Sequence, residues 1–256
     1  MRAVWAIARL VIKEIFRKKD FYVALILSMA ILFYAAQLKF YNVGNITRYL
    51  LEMGLALSFI LNVVLATALS ARQFPAELQQ RTCHVILAKP ITRFQFIAGK
   101  YLGSFLASAA CFLIFYAGFL SIVFFKSAEV SPAAAFQTGY LFLLNLAVLT
   151  AMASGFSYYL TTSANVSITL VLYFLIGAYG TTLKEAGQSL FWLSRILSEA
   201  FYYLLPHFEF FDIRVRLIHG WGALSWHLVG FLTLYAFFYT LLFLAVGWLG
   251  FRKRIL

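Results

Sequence analysis

The sequence predicts an all-α, polytopic membrane protein with six transmembrane helices, and three observations lead to this fold class. Hydrophobic residues occupy 63% of the chain and charged residues only 12%, about half the charged share of soluble domains. Several apolar stretches reach the roughly 20 residues that a helix needs to cross a bilayer. Because lipid offers the backbone no hydrogen-bond partner, apolar runs of this length are expected to be helices, despite their many Phe, Val and Ile residues.

The six predicted spans follow the apolar stretches in chain order. They are residues 21–38, 49–71, 97–125, 135–160, 163–183 and 226–250. We expect them to form a single transmembrane domain over residues 1–256. Three segments outside the spans have features of their own: an N-terminal helix at 1–20, a cytoplasmic segment at 72–96 and an extracytoplasmic loop at 184–225.

The basic residues predict the orientation of the spans. They are concentrated near the N-terminus, between the second and third spans and at the C-terminus, whereas the short loops on the other side contain little beyond Lys39, Arg48 and Lys126. The positive-inside rule therefore places both termini in the cytoplasm. Topology and anionic lipid account for the net charge of +12, so we expect the lipid bilayer as the partner of these charges and no nucleic acid.

The first 20 residues predict an amphipathic helix along the cytoplasmic interface. Its basic residues fall on one helical face: Arg2, Arg9, Lys13 and Arg17. Its apolar residues lie largely elsewhere: Trp5, Ala8, Ile12 and Ile15. A cleaved signal peptide is the less favoured interpretation, because the basic region is long and no small-residue cleavage site follows it.

The segment at 72–96 predicts a short polar helix fixed at both ends. Pro75 ends the second span, because proline cannot continue the hydrogen-bond ladder. Residues 76–88 have a helical pattern, which the Lys89-Pro90 step ends, and Thr92 can cap a new helix that leads into the third span. Such an element is suited to be bound by a partner protein and to transmit force to the two spans that it joins.

Gly99 and Gly103, at the start of the third span, form a small-xxx-small pair. Two small residues one helical turn apart allow another helix to approach closely. We therefore predict a helix-packing role for both glycines.

The segment resembles that of the permease subunits of type-2 ABC transporters. The resemblance rests on an ordered series of short motifs. They are a Glu (Glu77), an Arg-Thr step (Arg81 and Thr82), a Leu/Ile run (Val85 to Leu87), a Lys-Pro (Lys89 and Pro90), an Arg three residues later (Arg93) and a Gly-Lys (Gly99 and Lys100). It extends to the basic N-terminus and to the stretch at 204–212. The branch it is most similar to is the small six-span one that includes the nitrous-oxide-reductase maturation, gliding-motility and sodium-efflux permeases.

The resemblance implies a coupling helix at 76–88 that docks on a separate cytoplasmic ATPase subunit. It further implies a permease that works as a homo- or heterodimer in the inner membrane of a prokaryote. The residues it assigns to ATPase coupling are Glu77, Arg81, Thr82, Lys89, Pro90 and Arg93. The alternative is a plain helix on the membrane surface.

The sequence contains no phosphate-binding loop of its own. Such a loop needs a Gly, four residues and then Gly-Lys-Ser/Thr, and here Gly99-Lys100 is followed by Tyr101. We therefore expect this chain to be a transporter subunit rather than an enzyme, to have no catalytic residues and to bind no cofactor. ATP and Mg are expected in the partner subunit.

Four uncharged polar residues within the spans have two interpretations. They are Asn62, Asn145, Ser154 and Asn165. Hydrogen bonding between helices is the favoured role, and a translocation path is the alternative.

The loop at 184–225 begins as an amphipathic helix, interfacial or re-entrant, which Pro206 ends. His207, Glu209 and Asp212 then form either a capped turn, which we favour, or a metal-ligand set. The resemblance implies that this region shapes the outer gate and contacts periplasmic partners. Two other functions remain as alternatives: a membrane anchor for an extracytoplasmic complex, and an intramembrane enzyme, which would need His or carboxylate groups paired within the spans.

Overall fold

The computed structural model describes residues 2–17, 46–75, 92–125, 131–188 and 205–253, together with Tyr22, Ile26, Met29 and Ala30. All regular secondary structure in this part of the chain is helical. The helices are α1 (Arg2–Arg17), α2 (Ile46–Ala71), α3 (Arg93–Phe125), α4 (Pro132–Phe156), α5 (Thr162–Gln188), a 3-10 turn (Phe208–Phe211), α6 (Arg214–Ile218) and α7 (Trp226–Lys253).

Four of the described helices are long and apolar enough to cross a membrane. They are α2, α3, α4 and α7, and they correspond to the second, third, fourth and sixth predicted spans. The apolar part of α5, Thr162–Gly177, is shorter. The first predicted span, residues 21–38, lies outside the described residues apart from the four single positions named above.

Several helix boundaries differ by a few residues from those of the predicted spans, and two of the differences have local explanations. Helix α4 ends at Phe156 rather than at residue 160, because Tyr158 turns out of the helix and packs its ring 4.4 Å from that of Phe74. Helix α3 begins at Arg93, directly after the predicted cap and four residues before the predicted span at 97–125. Thr92 caps it as expected: Thr92 Oγ1 accepts from the Gln95 N–H at 3.3 Å, and Gln95 Oε1 accepts from the Thr92 N–H at 3.1 Å. This reciprocal pair is a capping box.

The helices alternate in direction, so their ends form two groups. At one end, called here the basic end, α2, α4 and α7 finish and α3 and α5 begin. The other end is called the opposite end. Helix α4 is central, since 72% of its most apolar stretch is buried, whereas α7 buries 33% of its own and leaves its remaining apolar surface for lipid or another protein.

The predicted interfacial helix α1 packs lengthwise against α3. A Cβ atom built on Gly99 would lie 2.7 Å from Ile7 Cβ, and one on Gly103 would lie 2.6 Å from Val11 Cβ. Four residues along each helix separate these contacts, so α1 and α3 run in the same direction. Helix α3 has 33 residues, about 50 Å, and the bilayer core takes about 30 Å. Helix α1 therefore runs alongside a candidate span, which differs from the position along the interface that the sequence predicts.

Beyond Leu205 the chain folds back onto the opposite end of the bundle. Phe208, Phe211 and Leu217 are each no more than 3% exposed. Gln137 of α4, fully buried, fixes the end of this segment, because its Nε2 donates to the Leu224 carbonyl at 2.9 Å and its Oε1 accepts from the Leu224 N–H at 2.7 Å. The segment from 205 to 225 is thereby held against the spans.

Candidate functional site

A cavity of about 400 Å³ opens between α2, α4, α5 and the segment that folds back. Its volume lies within the range of small-ligand sites. Most of its wall is apolar, and a smaller set of polar side chains borders it. The residues that line it are Phe59, Ile60, Val63, Asn145, Tyr173, Phe174, Gly177, Phe208, Glu209, Asp212 and Arg214.

Asn145 is the most deeply placed polar residue of this cavity. It lies in the middle of α4 and is 2% exposed. Its Nδ2 donates to the Tyr173 hydroxyl at 3.2 Å. Its Oδ1 is buried and has no hydrogen-bond partner among the described residues. Because an unsatisfied buried acceptor costs about 1–3 kcal/mol, this amide oxygen is a candidate contact for a bound molecule.

A charged pair lies where the segment that folds back meets the cavity. Arg214 donates from Nε to Asp212 Oδ1 at 2.8 Å and from Nη2 to Asp212 Oδ2 at 2.5 Å. The guanidinium also lies 5.2 Å from the centre of the Phe59 ring. The hydrogen bonds to Asp212 raise the pKa of Arg214 above its ordinary value, so Arg214 stays cationic and both of its contacts hold it in place.

Local sequence explains how these charges reach the cavity. Pro206 lacks an N–H and begins an extended stretch, and the 3-10 turn at Phe208–Phe211 follows it. Phe208 and Phe211 enter the core, and the Phe208 ring lies 4.7 Å from that of Tyr173. These two anchors leave Glu209 and Asp212 at the rim.

The structure brings together only some of the predicted site residues. Asn145, Glu209 and Asp212, predicted in two separate groups, line one cavity. Asn62 Nδ2 donates to the Ser58 carbonyl and Ser154 Oγ to the Ala151 carbonyl, both within their own helices. Asn165 Nδ2 donates at 2.8 Å to the Ala153 carbonyl and so joins α5 to α4.

His207 does not share the cavity with the two acidic residues. It is 7% exposed, its N–H donates to the Tyr235 hydroxyl at 2.9 Å, and its ring stacks on Phe210. Within the described part of the chain, no group of three His, Cys, Asp or Glu side chains could hold a metal ion. The three residues form a turn rather than a ligand set.

Most of the predicted coupling residues lie outside the described residues. They are Glu77, Arg81, Thr82, Lys89 and Pro90, together with the predicted helix at 76–88. Arg93 is described, and its Nη1 donates to the Arg252 carbonyl in the last turn of α7 at 3.1 Å. Its guanidinium lies 5.6 Å from the centre of the Phe251 ring. A cation at this position also interacts favourably with the negative end of the helix dipole.

Four aromatic rings gather next to Arg93, and we call them the aromatic cluster: Phe74, Phe96, Tyr158 and Phe251. None of them is more than 2% exposed. The Phe251 ring lies 5.5–5.6 Å from each of the other three rings. Phe74 and Phe96 lie on either side of the segment at 76–91, so the cluster fastens both flanks of that segment to the end of α7.

Several of these residues were missed by the sequence reasoning. The four residues of the aromatic cluster lie near the ends of predicted spans, which was a signal in the sequence. The signal was not specific, because apolar residues at span ends also suit contact with lipid. Gln137 was recognisable in the sequence as a polar residue within the fourth predicted span. Lys100, at the Gly-Lys step in the predicted third span, is 2% exposed, with Nζ 5.9 Å from the centre of the Phe96 ring. Its long apolar stem lets it lie along packed rings.

The comparisons with known proteins bear on the whole chain. A comparison with curated proteins gives no match. The family model described as "ABC-2 family transporter protein" matches residues 5–254. This range includes every described helix that is long enough to span a membrane, the cavity and the aromatic cluster. On that match, the chain belongs to the ABC-2 family of membrane transporter proteins.

Proposed function

We propose that this chain is the permease subunit of an ATP-driven ABC-2 transporter, and that it forms the translocation path as a dimer. A separate cytoplasmic ATPase, which binds ATP and Mg, supplies the energy through the helix at 76–88. The proposal includes six spans in a single domain, both termini in the cytoplasm and the inner membrane of a prokaryote. It also places the chain in the small six-span branch named above.

The observation that carries this proposal is the way in which the flanks of the 76–91 segment are fastened. Phe74 and Phe96 pack on Phe251, and Arg93 binds the last turn of α7. A displacement of the segment by a partner would therefore move the ends of α2, α3 and α7 together, because tightly packed rings transmit strain. A surface helix without such flanks would move alone.

The family membership supports the same function rather than the alternatives. A membrane anchor would need the spans but no coupling segment. An intramembrane enzyme would need reactive groups within the spans, whereas Asn62, Ser154 and Asn165 are engaged in hydrogen bonds to helix carbonyls. The transporter function uses both the segment and the cavity.

The test is purification of the full-length chain from its own host in mild detergent, followed by identification of co-purifying proteins and measurement of ATP hydrolysis. We expect an ATPase subunit to co-purify. The variants Glu77→Ala and Arg81→Ala are expected to lower transport-linked hydrolysis while leaving membrane insertion intact. The matched control is Glu52→Ala, which removes an exposed carboxylate from α2 near the opposite end. Absence of any ATPase subunit would refute the proposed function.

A further inference from the structure

The hydrogen-bonding groups around the cavity are unevenly engaged. The Arg214 guanidinium is bound on two nitrogens by Asp212, and the Asn145 amide nitrogen is bound by Tyr173. Of the acceptors, Asn145 Oδ1 has no partner among the described residues, and the Glu209 carboxylate has no ion-pair partner there either. Two acceptors, Asn145 Oδ1 and the Glu209 carboxylate, are therefore left for a ligand.

The net charge of the cavity lining also favours a positively charged ligand. Asp212 and Arg214 neutralise each other, so Glu209 leaves the lining with one net negative charge. Asp212 and Arg214 side chains are 34% and 28% exposed, and Glu209 is exposed, so these charges lie at the mouth. A cation approaching from water would meet the carboxylate before it loses its hydration, which lowers the cost of entry.

The remaining wall is suited to an apolar body. Phe59, Phe174 and Phe208 present aromatic rings, and Ile60 and Val63 add aliphatic surface. Aromatic faces attract cations as well as apolar groups. A molecule that fits this wall and the acceptors together has an apolar part of drug-like size and a positively charged donor group.

We propose that the cavity binds an amphipathic organic cation, with its ammonium group between Glu209 and Asn145 Oδ1 and its apolar part on Phe59, Phe174 and Phe208. As a statement about cargo this rests on the proposed function, whereas the binding itself needs no ATPase. The site is therefore testable on the permease alone.

The test is equilibrium binding to the full-length chain in nanodiscs of zwitterionic phosphatidylcholine. Dansylcadaverine supplies a primary ammonium on an aromatic body, dansylamide is its neutral analogue and dansylglycine its anionic one. We expect the ammonium compound to bind about tenfold more tightly than the neutral one, because a charge-assisted hydrogen bond is stronger than a neutral one. Empty nanodiscs measure the partition into lipid.

Two variants of the cavity test the assigned contacts. Glu209→Gln keeps the shape of the side chain and removes its charge, and we expect it to weaken dansylcadaverine about tenfold while leaving dansylamide unchanged. Asn145→Leu removes the buried acceptor and should weaken the same compound by a similar factor. Glu52→Gln, an exposed carboxylate of α2 outside the cavity, is the matched control and should change neither affinity.

Each outcome bears on the inference separately from the proposed function. Equal affinity for the three dansyl compounds, or no effect of Glu209→Gln in a variant that keeps its helical circular dichroism, overturns the cation site even if an ATPase co-purifies. Charge-dependent binding that Glu209→Gln abolishes supports the site even if no ATPase is found. Tighter binding of dansylglycine would mean that Arg214, not Glu209, directs recognition, and would also overturn it.

Discussion

The two ends of the bundle are built differently. At the basic end, three rings that are at most 2% exposed surround Phe251, and Arg93 joins α3 to α7. At the opposite end, the chain folds back over a cavity of about 400 Å³ and leaves Glu209 exposed. Close-packed side chains transmit displacement, whereas an open site can admit a molecule. The difference is what the two proposals require: a packed end that can transmit displacement and an open end that can admit a ligand.

The largest effect is expected from a substitution that leaves a cavity in the aromatic cluster at the basic end. Phe251→Ala removes the ring that the other three rings contact, and we expect the free energy of unfolding to fall by about 3–5 kcal/mol, as for other buried Phe→Ala changes. The measurement is unfolding of the purified chain in mixed micelles, followed by circular dichroism. Phe231→Ala, on the same helix but 65% exposed, is the control and should change the free energy by less than about 0.5 kcal/mol.

A loss below about 1 kcal/mol for Phe251→Ala would contradict the rigid basic end, because it would mean that the rings repack without a cavity. In that case the aromatic cluster would be no better a link between the 76–91 segment and α7 than any other apolar contact.

The second test adds a single methyl group between α1 and α3. Gly103→Ala would place a Cβ atom 2.6 Å from Val11 Cβ and 3.0 Å from the Ala8 carbonyl oxygen, so the helices must separate. We expect a loss of about 1–3 kcal/mol in the same unfolding measurement. Gly230→Ala has nothing within 4 Å of its Cβ and should not lower stability, because alanine is the better helix former. Equal stability of both variants would mean that α1 is loosely held.

The third test loosens the opposite end. Gln137→Leu leaves the Leu224 N–H and carbonyl without their partner, and we expect a cost of about 1–2 kcal/mol. Hydrogen exchange is the more specific measurement, because the Leu224 amide should exchange faster while amides of the basic end keep their rates. Phe136→Leu, at a neighbouring position that is 62% exposed, is the control. Unchanged exchange at Leu224 would show that other contacts hold the segment from 205 to 225.

The sequence predicted the spans better than it predicted the site. Length and apolar composition were enough to locate α2, α3, α4 and α7, because the bilayer imposes helix length directly. Thr92 was recognisable as a cap because capping depends on neighbours in sequence. The cavity depends on residues far apart in sequence, since Asn145 and Glu209 line it together only because the chain folds back. In the same way, Phe74 and Phe251 could not be paired from sequence, because lipid-facing positions accept the same residues.

The last test is expected to change stability least, and it reports on ligand recognition at the cavity. Asp212→Asn breaks an ion pair whose partners are 34% and 28% exposed, and pairs this accessible contribute about 0.2–1 kcal/mol, less at high salt. The same change frees hydrogen-bond donors of the Arg214 guanidinium at the cavity, because Asp212 is their acceptor among the described residues. The net charge of the lining then rises from negative to neutral. We expect weaker binding of dansylcadaverine and stronger binding of dansylglycine in the nanodisc measurement, with unfolding almost unchanged. If the open end selects ligands by charge, this variant shifts the preference from the cationic to the anionic compound without loosening the fold. A large loss of stability with an unchanged ligand preference would instead mean that the Asp212–Arg214 pair has a structural role.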